Sequence, residues 1–177
     1  MIETGRLILR GWRADDAAAH HAMCNDPRVA AMIGRAPSKA DSEAVVQRQN
    51  ELLARLGYCF WALERRDSGE FIGWCGIKPG RAPIKGETEI GWSLAADQWG
   101  QGLAREAAEA TLAWVWAHTD LAEIIAITTP GNARSWGLME RLGMRRCSEE
   151  DFEHPDLALG DPLRAHILYR IARPNGG

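Results

Sequence analysis

Apolar and polar residues alternate over Thr4–Arg10: Leu7 and Leu9 share one face and Ile8 takes the other, which predicts a strand. Trp12 and Arg13 close it. Asp15 and Asp16 stand where acids favour a helix start, and a short Ala-rich helix is expected to run to about Asn25, where Asp26-Pro27 breaks it. Ser38 followed by Asp41 has the form of a helix cap with an acid in the first turn. Val45, Gln49, Leu52 and Leu56 follow at helical spacing, with Val46 and Leu53 beside them, and Gly57 ends the helix.

A strand-rich stretch comes next. Tyr58–Glu64 (YCFWALE) and Phe71–Ile77 (FIGWCGI) flank a polar turn and predict a hairpin. Residues 78–86 hold two prolines and two glycines and read as an exposed loop. Glu87–Leu94 (ETEIGWSL) is a third strand, and residues 95–102 form a turn. Leu103 opens a long helix whose expected buried stripe is Leu103, Ala107, Ala110, Trp114 and Ala117. Glu123–Thr128 predicts a strand and residues 129–132 a turn. Ala133–Leu142 predicts a helix with Trp136, Met139 and Leu142 on one face and Gly143 as its cap. Two last strands are expected at 144–148 and 164–171, with an acidic loop, Asp151–Pro162, between them. The layout is mixed α/β, a meander followed by βαβ-type crossovers, in one domain over residues 1–177.

Composition narrows the function classes. The 177 residues carry 24 acids against 21 bases, so sustained binding to nucleic acid or an anionic membrane is disfavoured. No apolar run reaches the length of a signal peptide core or a membrane span, and a cytoplasmic protein is expected. Cys24, Cys59, Cys75 and Cys147 form no C-x-x-C pair, and no H-E-x-x-H occurs among the five histidines, so no metal is expected.

The segment from Glu89 to Ala104 carries the chemistry. A strand enters a Gly-x-Gly turn at Gly100 and Gly102, and the turn enters a helix directly. Backbone N–H groups of such a turn, together with those of the helix's first turn, form an anion site suited to a pyrophosphate. Taken alone, a tight strand-to-helix turn explains the glycines equally well. No Gly-Lys-Ser/Thr follows, so this is not a P-loop, and the third glycine of a dinucleotide fingerprint is missing.

With Glu89 on the incoming strand and Asn132 with Ser135 at the next strand-to-helix junction, the sequence resembles the GNAT superfamily of acetyl-CoA-dependent N-acetyltransferases. The resemblance is to the branch of ribosomal-protein N-terminal acetyltransferases (RimJ/RimL-like). It covers nearly the whole chain: Glu3–Trp12 (ETGRLILRGW), Asp26-Pro27, Glu89–Trp92, Trp99–Ala104, Asn132 with Ser135, Arg141–Met144 and His166–Arg170 stand in that branch's order.

The resemblance implies a GNAT-like fold, an α/β architecture with a mostly antiparallel central sheet splayed at the cofactor site and flanked by helices. It also assigns roles. The backbone of Trp99, Gly100, Gln101, Gly102, Leu103 and Ala104 would hold the acetyl-CoA pyrophosphate. Trp92, Ser93 and Leu94 would pair with the pantetheine arm as an added strand does. Asn132 would hydrogen-bond that arm, and Ser135 would lie near the thioester sulfur, a candidate donor to the departing thiolate. Glu89 is the candidate general base for an acceptor ammonium, with Glu87 as its competitor and a surface pairing with Lys85 as the plain structural alternative. A backbone N–H near Trp92 or Leu94 would face the oxyanion.

Three departures stand out. Trp99 occupies the position where the superfamily often has Arg or Gln. Met139 stands seven residues after Asn132, where many members have a tyrosine acid. Arg105 replaces a small residue and either reaches a CoA phosphate or is solvated. Residues 26–37, 78–86 and 151–162 are candidate walls for the acceptor, with Asp151, Glu153 and Asp156 suited to a cationic amine. Trp12, Trp61 and Trp74 are candidate pocket residues, and His166 and Tyr169 are read as supports of the terminal strands. The partners implied are acetyl-CoA and a primary amine, a protein N-terminus or a small molecule, for a monomer or homodimer. A CoA-binding sensor that keeps the fold without turnover is the alternative.

Overall fold

The structure is a computed structural model that describes residues 1–34 and 36–174. Its contacts gather into two compact units, residues 1–78 with 91–114, and residues 79–90 with 115–177. Arg35, inside the candidate wall 26–37, lies outside the described residues.

The first unit opens with β1 (Ile2–Glu3), ahead of the expected strand, and β2 (Leu7–Arg10), to which the strand predicted over Thr4–Arg10 shortens. The chain turns between them because the Thr4 N–H bonds the Leu7 carbonyl at 2.9 Å. Helix α1 (Asp16–Asn25) ends at Asp26, as the Asp-Pro pair predicts. Pro27 does not then leave a loop. It is the first residue of α2 (Pro27–Ile33), where its fixed φ and missing N–H cost nothing, and the Asp26 carboxylate caps the Arg28 N–H. Helix α3 (Lys39–Leu56) carries the predicted signals in full: Ser38 and Asp41 form a reciprocal capping box, and Gly57 ends the helix at φ +78°.

β3 (Phe60–Arg65) and β4 (Phe71–Pro79) make the hairpin, and β5 (Thr88–Leu94) follows, without Glu87. Strand order in this unit is β1-β2-β3-β4-β5, and the β1–β2, β2–β3 and β3–β4 pairings are antiparallel. Gly73 permits close approach within the sheet: a Cβ there would stand 2.2 Å from the Ser93 carbonyl oxygen. Helix α4 (Leu103–His118) buries Leu103, Ala107, Ala108, Thr111, Leu112 and Val115. The stripe is rotated from the expected one, and Ala117 is exposed, because small residues on every side of this helix blur the apolar face.

In the second unit β6 (Glu123–Thr128) pairs with β5 in parallel at Glu89↔Ile125. Helix α5 (Ala133–Arg141) follows, then β7 (Arg145–Arg146), β8 (Phe152–Glu153) and β9 (Ala165–Ala172). Strand order here is β5-β6-β9-β7, with β8 on β9. The strand expected at 144–148 shrinks to two residues, and the acidic loop contains β8. No helix is long and apolar enough to cross a membrane among the described residues.

Trp12 and Trp61, candidate pocket residues in the sequence, are core. The Trp12 indole N–H donates to the Phe60 carbonyl at 2.6 Å, and Trp61 meets Trp114 edge to face. All four cysteines are free and buried. Burial pushes the Cys24 thiol up to about 11 and those of Cys59 and Cys75 to about 12.

A buried charge cluster joins β2, α1 and β3. The Arg10 guanidinium donates to both oxygens of Asp16, at 2.7 and 2.9 Å, and to Glu64 at 2.6 Å. Without Asp16, Arg10 keeps Glu64 and the Gly11 carbonyl, and its buried Nη2 loses its acceptor. Asp16→Ala is therefore expected to lower unfolding free energy by roughly 1–3 kcal/mol in urea titration.

Candidate active site

In the first unit, β5 delivers Trp92, Ser93 and Leu94 to a single 3-10 turn at Ala96–Gln98, and the chain then enters α4 through Trp99, Gly100, Gln101 and Gly102. Gly100 and Gly102 both sit at φ +77°, the left-handed region where a side chain is strained. Two left-handed glycines one residue apart let the backbone curl. Leu103 is buried and pins the helix start, while Gly100, Gln101 and Gly102 are exposed and Ala104 half-buried.

Carbonyls and amides of this segment behave differently. The Leu94 carbonyl accepts the Trp99 indole N–H at 2.8 Å, and the Ala95 carbonyl accepts the Gln98 N–H at 3.0 Å. The Asp97 carbonyl accepts the Gln101 side-chain amide at 3.0 Å, and the Gly102 carbonyl accepts the Glu106 N–H at 3.1 Å. The Gln101 carbonyl accepts Arg6 Nη1 at 2.9 Å. Among the described residues, the backbone N–H groups from Gly102 to Arg105 reach no protein acceptor. The segment therefore offers a row of donors while the Gln101 and Gly102 carbonyls are occupied, an electropositive cradle built from backbone.

Trp99 is structural as well as part of this turn. Its ring packs against a cluster of Met23, Cys24 and Val29, together with Phe71 and Trp74. Arg105 pairs with Glu109 at 2.7 Å on the exposed face of α4. Glu106, in the first turn of that helix, accepts Thr4 Oγ1 at 2.6 Å, the Arg6 N–H at 2.9 Å and Arg6 Nε at 2.7 Å. Burial works against its charge, but the Thr4 and Arg6 donors outweigh it and hold the carboxyl below its ordinary value.

In the second unit, Glu89 is half-buried and stands opposite Ile125 of β6. Glu87 is committed elsewhere: it accepts from both terminal nitrogens of Arg170, at 3.0 and 3.2 Å, and Arg170 also binds Glu123 at 2.6 Å and Glu150. These carboxylates, Glu150 foremost, push the Arg170 guanidinium well above its ordinary value. Ile84, Ile125, Cys147 and Leu168 form the apolar cluster of this unit, with Ile127 and Phe152 against it. His166 of β9 stacks on Phe152, lies near His154 and bonds the Arg164 carbonyl at 3.2 Å. Burial pushes its imidazole down, while the negative charge of Glu89 acts the other way, so His166 is within electrostatic reach of the candidate base.

Asn132 and Ser135 meet at the start of α5, where Asn132 Oδ1 caps the Ser135 N–H at 3.2 Å. The cap uses the carbonyl end of the side chain, so the two amide donors are what Asn132 has to offer a ligand. Met139, at the expected tyrosine position, is buried core. Tyr169 is buried too, and its hydroxyl bonds Glu140 at 3.3 Å. Two acids of the acidic loop are paired with arginines that flank it: Asp151 with Arg146 at 2.5 Å and Glu153 with Arg164 at 3.0 Å. Cys147, Glu149 and Glu150 come within metal-binding range of one another. Burial pushes the Cys147 thiol up, and Glu150 is paired with Arg170.

Sequence reasoning did not reach Arg6 with Glu106, which are 100 positions apart and hold the turn from outside its own segment. It also gave His166 a purely supporting place. Opposite charges at distant positions are too common to single out either pairing.

This fold is that of an acetyl-transferring enzyme. Residues 6–145 match the acetyltransferase (GNAT) domain family, and the chain belongs to that family. YkkB of Bacillus subtilis (strain 168), an uncharacterized protein, is 31% identical over 144 residues, 81% of this chain and 84% of YkkB. The solved GNAT-family acetyltransferase of Bacillus anthracis is 25% identical with a TM-score of 0.80, covering 98% of this chain and 99% of that one. RimL, a ribosomal L7/L12 alpha-N-protein acetyltransferase solved in complex with coenzyme A, is 17% identical with a TM-score of 0.72, over 96% of this chain and 95% of that one. At that identity the likeness is one of fold.

Two outcomes are expected. Trp99→Phe leaves the buried Leu94 carbonyl without its donor and lowers stability by about 1–3 kcal/mol, read from thermal melting. The Glu106 carboxyl is lowered in the folded state, so its stabilisation is present above the ordinary carboxylate range, ~4.3, and is lost as pH falls through the lowered value. Glu106→Gln should remove that part of the acid dependence in melts taken from pH 7 to pH 3.

Proposed function

We propose that this chain transfers the acetyl group of acetyl-CoA to a primary amine, either a protein N-terminus or a small-molecule amine. The observation that carries the reading is the backbone cradle: unpaired N–H groups from Gly102 to Arg105, beside carbonyls of the turn that already have donors, suit the diphosphate of a CoA thioester. The coenzyme A bound to RimL supports the same ligand class. In this reading the backbone of Trp99–Ala104 takes the diphosphate, the edge at Trp92, Ser93 and Leu94 takes the pantetheine amides, and the Asn132 amide donates to that arm.

The chemistry then follows from the needs of the amine. At neutral pH it is mostly ammonium and has no lone pair to attack with. Glu89 takes one proton, directly or through a water, and the freed amine attacks the thioester carbonyl. The oxyanion is met by backbone N–H donors at the end of β5. The C–S bond breaks, the amide forms, and the thiolate takes up a proton, with Ser135 as the candidate neighbour that supplies a hydrogen bond. Glu87 is the weaker base candidate because its carboxylate is held by Arg170.

The decisive experiment measures free-thiol release from acetyl-CoA against a panel of amines and N-terminal peptides, with product mass confirming acetylation. Binding of acetyl-CoA with no turnover on any acceptor favours the sensor alternative. Glu89→Gln is expected to lower kcat ~100- to 10,000-fold at neutral pH and to change acetyl-CoA affinity far less. An unaltered pH–rate profile in that variant removes Glu89 from the mechanism.

A further inference from the structure

Gln101 sits between the two left-handed glycines, and its carbonyl is held from outside the turn, by Arg6 Nη1 at 2.9 Å. The Gln101–Gly102 peptide ends on a left-handed glycine and can rotate, and rotation would exchange the places of the Gln101 carbonyl and the Gly102 N–H, bringing that carbonyl toward the side where the N–H row points. A carbonyl dipole there would repel an anion that the N–H groups attract. The Arg6 bond fixes the orientation.

Arg6 is itself fixed. Its Nε and its backbone N–H both donate to Glu106, which Thr4 also holds, so the guanidinium has one direction left for Nη1. Its Nη2 lies 3.6 Å from where a Cβ on Gly102 would stand, so the group rests against the turn. Glu106 needs this partner for a second reason. An acid in the first turn of a helix suits the helix dipole but opposes an anionic ligand at the same end. Arg6 cancels that charge.

We infer that Arg6 is a positioning residue for the diphosphate site: anchored on Glu106, it holds the Gln101 carbonyl back and leaves the N–H groups of Gly102–Arg105 facing the ligand. This rests on the acetyl-CoA reading above and adds to it a side chain that acts through the backbone. Charge alone does not meet the requirement. A lysine has a single nitrogen and cannot bond Glu106 and Gln101 with the separate, rigidly spaced donors of a guanidinium.

Isothermal titration with coenzyme A as the probe tests this in wild type, Arg6→Gln and Arg6→Lys, with amide hydrogen exchange of segment 99–105 measured with and without the probe. Wild type is expected to bind and to show protection of that segment. Both variants are expected to bind roughly 10- to 100-fold more weakly and to lose the protection at 99–105, while α4 beyond Glu109 exchanges as in wild type. Wild-type affinity in Arg6→Gln overturns the inference. So does full rescue by Arg6→Lys, which would reduce Arg6 to a charge, and so does faster exchange throughout α4, which would make its role one of general stability. Failure of wild type to bind coenzyme A strikes instead at the acetyl-CoA reading on which the inference rests.

Discussion

A backbone that turns from strand to helix while presenting its N–H groups outward must put its carbonyls somewhere. That constraint organises the first unit. Trp99 closes back on the Leu94 carbonyl, the Gln101 side chain takes that of Asp97, and Arg6 reaches the Gln101 carbonyl. Two of these donors are side chains of the turn itself, and the third comes from the approach to β2. The left-handed glycines make the curl sterically available, but they do not choose which groups face out. The side chains behind the turn do.

The same economy governs charge. The chain is mildly acidic overall, yet its proposed ligand is an anion. Two of its arginines each hold a cluster of carboxylates: Arg10 on Asp16 and Glu64 in the first unit, Arg170 on Glu87, Glu123 and Glu150 in the second. Backbone dipoles attract a diphosphate without a basic patch, and so without the nonspecific affinity for polyanions that such a patch brings. Glu87, just before β5, is committed to the Arg170 cluster in the same way.

Local signals were legible in the sequence. The Ser38–Asp41 capping box, the Gly57 stop and the Gly100–Gly102 turn each depend on residues a few positions apart, and each stands where the pattern puts it. What was hidden is set at long range. Asp26-Pro27 is both a stop and a start, and only packing of Val29 with Met23 and Cys24 makes the residues after it a helix. The buried face of α4 is undecided locally, because alanines surround it and the core selects the side that takes Thr111 and Leu112. The Arg6–Glu106 and Arg170 pairings join positions whose charges, read along the chain, resemble any surface pair. The candidate site was therefore legible as a turn and a set of named side chains, while the groups that orient the turn were not.

The four thiols have a consequence of their own. Buried, with Cys24, Cys59 and Cys75 raised to about 11–12, they are almost entirely protonated at neutral pH, and exchange with a disulfide requires thiolate and access. A protein that handles a small free thiol, as this one is proposed to do, meets that thiol's disulfides as well. Its own cysteines are poor partners for mixed-disulfide formation while the core is closed. Their rate of alkylation consequently serves as a clock for opening of the core.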